Sequence, residues 1–216
     1  MDASNGEKRA ALMERLNLMN MTSHPNVMEI VDLIAVTQNI VMKFAKYGTL
    51  RDYLDQHLIL IPGLKKIAIQ RRLVMRHILL HGVMQGILHL HHQEIVHQDL
   101  KPENVLIDVI EDDFRKEELV KVLSATNVKD LSFPLVVARV SDFGLSRNLR
   151  SIQEKQESED KGLHHKDSSP FCDSNSTASS KYYGTPVWAA ARGFKSKARD
   201  VYSAALMWTW VIMFCS

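Results

Sequence analysis

The chain has 216 residues, 45% of them hydrophobic and 24% charged, with a formal net charge of +2. Such a length and composition fit one large globular domain or two small ones, and the small net charge excludes a nucleic-acid or membrane surface built on bulk electrostatics. Cys172 and Cys215 are the two cysteines, too few for a disulfide scaffold or a cysteine-based zinc module, and they suit a reducing compartment. The stretch from Met1 to Ala10 is too polar for a secretory segment. The uncharged run from Val201 to Cys215 falls short of the roughly 18 residues of a membrane span and is expected to be a buried helix. A cytoplasmic location, without membrane insertion, is the default expectation.

Leu12, Leu16 and Met19 have helical spacing and predict a helix over 11–21, stopped by Ser23-His24-Pro25-Asn26. The β-branched stretches 27–36 and 39–44 predict two antiparallel strands joined by a turn at Thr37-Gln38. Gly48-Thr49-Leu50 opens a short helix through Leu54. Behind the turn signal Pro62-Gly63 comes the longest periodic segment, 64–92, with Ile67, Val74, Ile78 and Leu88 among its apolar positions. Ile95-Val96 and 105–107 are strand-like pieces on either side of a polar loop, and a further strand over 135–140 closes on Ser141-Asp142-Phe143-Gly144. Two polar stretches fit no compact element: 108–134, with a short helix around 113–123, and the serine-rich 147–180. No internal repeat is visible.

The chemistry is concentrated in His97-Gln98-Asp99-Leu100-Lys101-Pro102-Glu103-Asn104, where an acid, a lysine and an amide share one loop. A second acid stands in Asp142-Phe143-Gly144, beside a glycine that permits a sharp turn. Phosphoryl transfer asks for this set. One carboxylate orients a hydroxyl and takes its proton, a second with an amide oxygen suits Mg²⁺, and a lysine offsets phosphate charge.

These residues resemble the core of a eukaryotic protein kinase, of serine/threonine type or of the tyrosine-kinase-like group, in the order that family keeps. Glu14 with His24-Pro25-Asn26 is similar to the end of its helix C and the loop beyond. Residues 40–48 resemble its fifth strand and hinge, with Met42 as gatekeeper. Leu90-His91 to Ile107 resembles the catalytic loop and its flanks, Gly184-Thr185-Pro186-Val187-Trp188 the loop that receives substrate, and Asp200-Val201-Tyr202-Ser203 the start of helix F. The resemblance implies an α+β, protein-kinase-like fold with a partial N-lobe (helix C and the fourth and fifth strands) and a partial helical C-lobe (helices D to F). It implies boundaries at 1–42 for the N-lobe remnant, 43–47 for the hinge and 48–216 for the C-lobe, with insertions at about 108–134 and 147–180. ATP and Mg²⁺ are the implied cofactors and a protein Ser or Thr hydroxyl the acceptor. Asp99 is the implied base, with Lys101 and Thr185 beside it. Asn104 and Asp142 are the implied Mg²⁺ ligands. Met42, Lys43, Phe44, Ala45 and Glu14 are the implied nucleotide contacts. Leu18, Ile30, His97 and Phe143 fall where the family stacks an apolar spine, anchored through Asp200.

The departures are specific. The sequence holds no Gly-x-Gly-x-x-Gly loop and no Val-Ala-Ile-Lys lysine ahead of Glu14, so the domain is expected to be truncated at both ends. Ala190-Ala191-Arg192 replaces Ala-Pro-Glu, and Gln98 replaces the arginine of His-Arg-Asp, the residue that grips a phosphorylated loop. An inactive, interaction-only module or an incomplete gene product is the alternative. His77, His81, His89, His91, His92 and His97 cluster, yet the zincin pattern fails at Ile78, and surface and packing roles are expected for them.

Overall fold

The computed structural model describes residues 23–34, 39–58, 66–125, 135–149, 185–190 and 196–213. The helix expected over 11–21, with Glu14 and Leu18, the turn at 37–38 and most of the 147–180 segment lie outside the described residues.

Strands β1 (Ile30–Ile34) and β2 (Asn39–Met42) pair antiparallel, Leu33 facing Ile40, with an irregularity between Ile30 and Asp32. Both are shorter than the sequence expectation. Val27 instead leaves the hairpin and makes a parallel bridge to Val140. Helix α1 (Leu50–His57) begins where Thr49, in extended conformation, accepts the Asp52 N–H at 3.1 Å. It buries Leu50, Tyr53 and Leu54 and continues past Leu54 to His57.

The 27-residue helix α2 (Lys66–His92) is the core of the molecule. It packs against a strand of the central hairpin on one side and the last helix on another. Met75, Leu79, Leu80, Val83, Ile87 and Leu90 are all buried along it. Burial on more than one side explains why Ala68–His92 is long and apolar enough to cross a membrane by length and composition, against the expectation that no segment would be. Arg76, fully buried in α2, donates to the carbonyls of Leu58 at 2.7 Å and Val211 at 3.0 Å, tying two helix ends together.

After β3 (Ile95–Val96) comes the polar loop, then β4 (Val105–Val109), helix α3 (Asp113–Ala125) and β5 (Val136–Val140). β4 and β5 pair antiparallel from Val105–Val140 to Val109–Val136, and Ile110 N–H to Leu135 O at 3.0 Å adds a last rung. Of the 108–134 stretch, the described residues continue β4 to Val109 and form helix α3. β6 (Arg147–Asn148) folds back to pair with β3. Helix α4 (Lys197–Met213) starts ahead of Val201 and buries Asp200, Ser203, Ala204, Met207 and Val211, while Val201 and Met213 are exposed.

The turn before β1 docks hard on this core. Asn26 accepts the Val140 N–H at 2.9 Å and its side chain donates to Ala138 O at 2.9 Å. Gly86 of α2 passes beneath it, where any Cβ would collide with the Asn26 carbonyl oxygen. Glycine is required there by close approach.

Candidate functional site

The polar loop owes its shape to one buried acid. Asp200, fully buried in the first turn of α4, accepts the N–H groups of His97 and Gln98, each at 2.8 Å, and faces His91 Nε2 at 2.9 Å. Three donors and a helix N-terminus make the burial of that carboxylate tolerable. Held this way, Gln98 takes a left-handed φ of 71° and the chain bends sharply into Asp99. His97 is also fully buried. Its Nε2 donates to Ser141 O at 2.8 Å and its Nδ1 accepts the Asp99 N–H at 3.3 Å, so one tautomer spans both acidic segments.

Asp99 is the centre of the cluster. Oδ1 accepts the Thr185 N–H at 2.8 Å and the Thr185 hydroxyl at 2.9 Å. Oδ2 meets Lys101 Nζ at 2.9 Å and Asn104 Nδ2 at 3.1 Å. Lys101 also donates to Thr185 Oγ1 at 2.8 Å, closing a triangle. Partial burial alone would push the Asp99 carboxyl up. The Lys101 and Thr185 contacts outweigh it and hold Asp99 below its ordinary value of 3.8. The carboxylate is thus kept ionised.

Asn104 ends the single turn Pro102–Asn104, whose Pro102 suits the first helical position. Its amide nitrogen goes to Asp99, both to Oδ2 and to the main-chain oxygen at 2.8 Å. Its own main-chain oxygen accepts the Ser141 N–H and hydroxyl, each at 2.9 Å, which brings it beside the Asp142 segment. Asp142 is exposed, with a left-handed φ of 62°, and its Oδ1 accepts the Gly144 N–H at 3.3 Å. Aspartate tolerates this conformation, and strain of this kind gathers at functional sites. Phe143 lies against His97 with ring centroids 5.7 Å apart, which joins two of the expected spine residues; Leu18 lies outside the described residues.

The hinge is built differently. Met42 is exposed, Phe44 is 85% exposed, and Ala45 is buried. Lys43 N–H is taken by Glu29 O at 3.1 Å, and its Nζ pairs with Glu111 at 2.8 Å. Further along, Tyr47 N–H donates to Ile107 O at 3.0 Å and Gly48 O accepts the Ile107 N–H at 2.8 Å, fastening the hinge to β4. Cavities of about 240 and 360 Å³ lie on the far side of β5, sharing Pro25 and Arg139. The structure brings Asp99, Lys101, Asn104 and Thr185 together, joins them to the Asp142 segment, and leaves Glu14 outside the described residues.

A family model described as the protein kinase domain matches residues 2–215. The chain belongs to the protein kinase family. Curated relatives of this kinase chain include cyclin-dependent kinase 7 of Xenopus laevis, 31% identical over half of the chain and 28% of that protein. Another is the serine/threonine-protein kinase ATG1c of Arabidopsis thaliana, 25% identical over 69% of the chain and 16% of that protein. CBL-interacting protein kinase 26 of Oryza sativa is 24% identical over 91% of the chain and 29% of its own length. The chain thus spans well under half the length of the relatives it matches.

Three residues of this kinase domain escaped the sequence reading. Glu111 and Asp108 sit at the root of the polar stretch expected to fit no compact element, yet Asp108 is buried, accepts the Lys46 N–H at 3.3 Å, and stands 3.6 Å from Arg139. Strand alternation puts Asp108 on the face opposite Val105 and Ile107, so the pattern along β4 argued against its burial. Arg76 had no signal in the sequence. Among the described residues no group of three or more His, Cys, Asp or Glu side chains is placed to hold a metal.

Proposed function

We propose that this kinase domain transfers the γ-phosphoryl group of ATP to serine or threonine hydroxyls of proteins, with Asp99 as the catalytic base. The observation that carries the reading is the ring of donors around one ionised carboxylate: Thr185 on Oδ1, Lys101 and Asn104 on Oδ2. These contacts fill the lone-pair positions of both oxygens. An incoming hydroxyl must displace a donor, and Lys101, whose long side chain can re-aim its ammonium once its bonds to Asp99 and Thr185 break, is the one to move. Released from Asp99, its charge offsets that of the transferred group while Thr185 keeps the carboxylate aimed.

Asp142 and Asn104 would hold Mg²⁺. The fit rests on donor chemistry: an exposed carboxylate and an amide whose nitrogen is committed to Asp99, so that its oxygen is the atom left to act as a hard ligand. Mg²⁺ bound there would draw negative charge from the phosphate oxygens. Met42 to Ala45 would receive adenine through main-chain groups. Lys43 N–H is not one of them, because Glu29 takes it. Gln98, buried where the family's arginine would stand, offers no cation to grip a phosphorylated loop. The second reading, a non-catalytic binding module, rests on the absence of a Gly-x-Gly-x-x-Gly motif from the sequence.

The test is a thermal shift with ATP and Mg²⁺ against ATP and EDTA, on the chain and on Asp142→Asn. The expected result is a Mg²⁺-dependent rise in melting temperature that the variant loses. A cooperatively melting protein with no shift would sink the reading.

A further inference from the structure

The geometry points to Glu111 as a positioning residue for the nucleotide-binding hinge, acting through Lys43. The inference rests on the reading of 42–45 as the adenine edge. Lys43 is held from two sides: its N–H by Glu29 O at 3.1 Å, its ammonium by Glu111 Oε2 at 2.8 Å. The ion pair raises Lys43 and lowers Glu111, first through the hydrogen bond between them and then through their charges. A lysine tethered at both ends fixes the backbone that leads into Phe44 and Ala45.

Glu111 is placed to move. The β4–β5 hairpin ends at the Ile110–Leu135 rung. Asp112 already caps α3, its side chain accepting the Arg115 N–H at 2.8 Å and its carbonyl the Lys116 N–H at 3.1 Å. Glu111 is therefore the one residue between a fixed rung and a helix, and any rotation of α3 carries it. A cavity of about 360 Å³, lined by Glu111, Asp112 and Arg115 as well as Ile110, Val137 and Arg139, lies beside this junction. The other end of the hinge has no such freedom, since Lys46 N–H is held by buried Asp108. One end is clamped and the other is adjustable, and α3 is the handle.

Because the pair is exposed, its influence is modest and screened by salt. The experiment uses the full chain, Glu111→Gln and the reversed pair Lys43→Glu/Glu111→Lys. Amide hydrogen exchange at 44–46 is followed without nucleotide, and ADP–Mg²⁺ affinity is measured by calorimetry at low and high salt. Glu111→Gln is expected to speed hinge exchange and weaken ADP by about two- to five-fold at low salt. The difference closes near ~1 M salt, and the reversed pair restores both readouts. Unchanged hinge exchange in Glu111→Gln overturns the inference, as does a lowered melting temperature with exchange raised evenly throughout. Faster hinge exchange in Glu111→Gln when the wild-type chain binds no ADP overturns the adenine-edge reading and leaves the coupling standing.

Discussion

The catalytic loop and the hinge solve the placing of polar groups in opposite ways. In the loop, Asp200, His97 and Asn104 are buried, and each makes two or more hydrogen bonds to main-chain or charged partners. In the hinge, Met42 and Phe44 face solvent, and Lys43 is tied by a surface ion pair while Lys46 N–H is held by buried Asp108. Unpaired buried polar groups are costly, so the buried partners hold the loop firmly, while a solvent-exposed ion pair constrains the Lys43 end of the hinge more weakly. On the proposed reading, the firmer region is the one that would aim a hydroxyl and the looser end is the one beside the adenine edge.

Breaking the loop should cost most. Asp200→Ala strands the N–H groups of His97 and Gln98 in a fully buried site and is expected to remove about 3–5 kcal/mol of stability in urea unfolding. The hinge hairpin depends on its own deep contact, the Asn26 turn over α2. Gly86→Ala drives a methyl into the Asn26 carbonyl, which cannot yield. Its gain in helix propensity is smaller than that overpacking, for a net loss of about 2 kcal/mol by the same measurement.

Thr185→Ala tests aim without dismantling the loop, since the Thr185 N–H still reaches Asp99. Losing a hydroxyl bond to a carboxylate lowers kcat roughly 10-fold. It also brings the Asp99 pKa back toward 3.8. A depressed carboxyl adds stability above its unfolded pKa and loses it as pH falls through the folded value. The melting-temperature gap between wild type and Thr185→Ala should therefore be open at neutral pH and narrow below about pH 3.8. A gap that widens in acid would contradict the assigned contacts.

The smallest effect lies on the hinge side, with the opposite sign. Tyr53 of α1 is fully buried between Tyr47 and His57, and burial, then Tyr47, pushes its phenol up to about 12. Among the described residues its hydroxyl has no partner. Tyr53→Phe removes an unsatisfied buried group and is expected to stabilise by about 1 kcal/mol in thermal melts.

What could be read from the sequence follows the same division. The grouping of Asp99, Lys101 and Asn104 was legible because they share one loop, Thr185 was reached only through the family resemblance, and Thr49 announced its helix locally. The strand ends were not legible, because Val27 chooses between continuing β1 and bridging Val140, which only packing decides. Arg76 and the Lys43–Glu111 pair were illegible for a simpler reason. They join residues far apart in the chain, and a charge in sequence does not say whether it will be buried on carbonyls or left at the surface.

The most direct measurement is γ-phosphoryl transfer to serine- and threonine-containing peptides by the chain and by Asp99→Asn, with ATP–Mg²⁺ binding measured on the same samples. The account predicts binding in both, and transfer lowered by about 10²–10⁴-fold in the variant. Equal transfer by the two proteins, or no transfer by a wild-type chain that binds ATP–Mg²⁺, would contradict it.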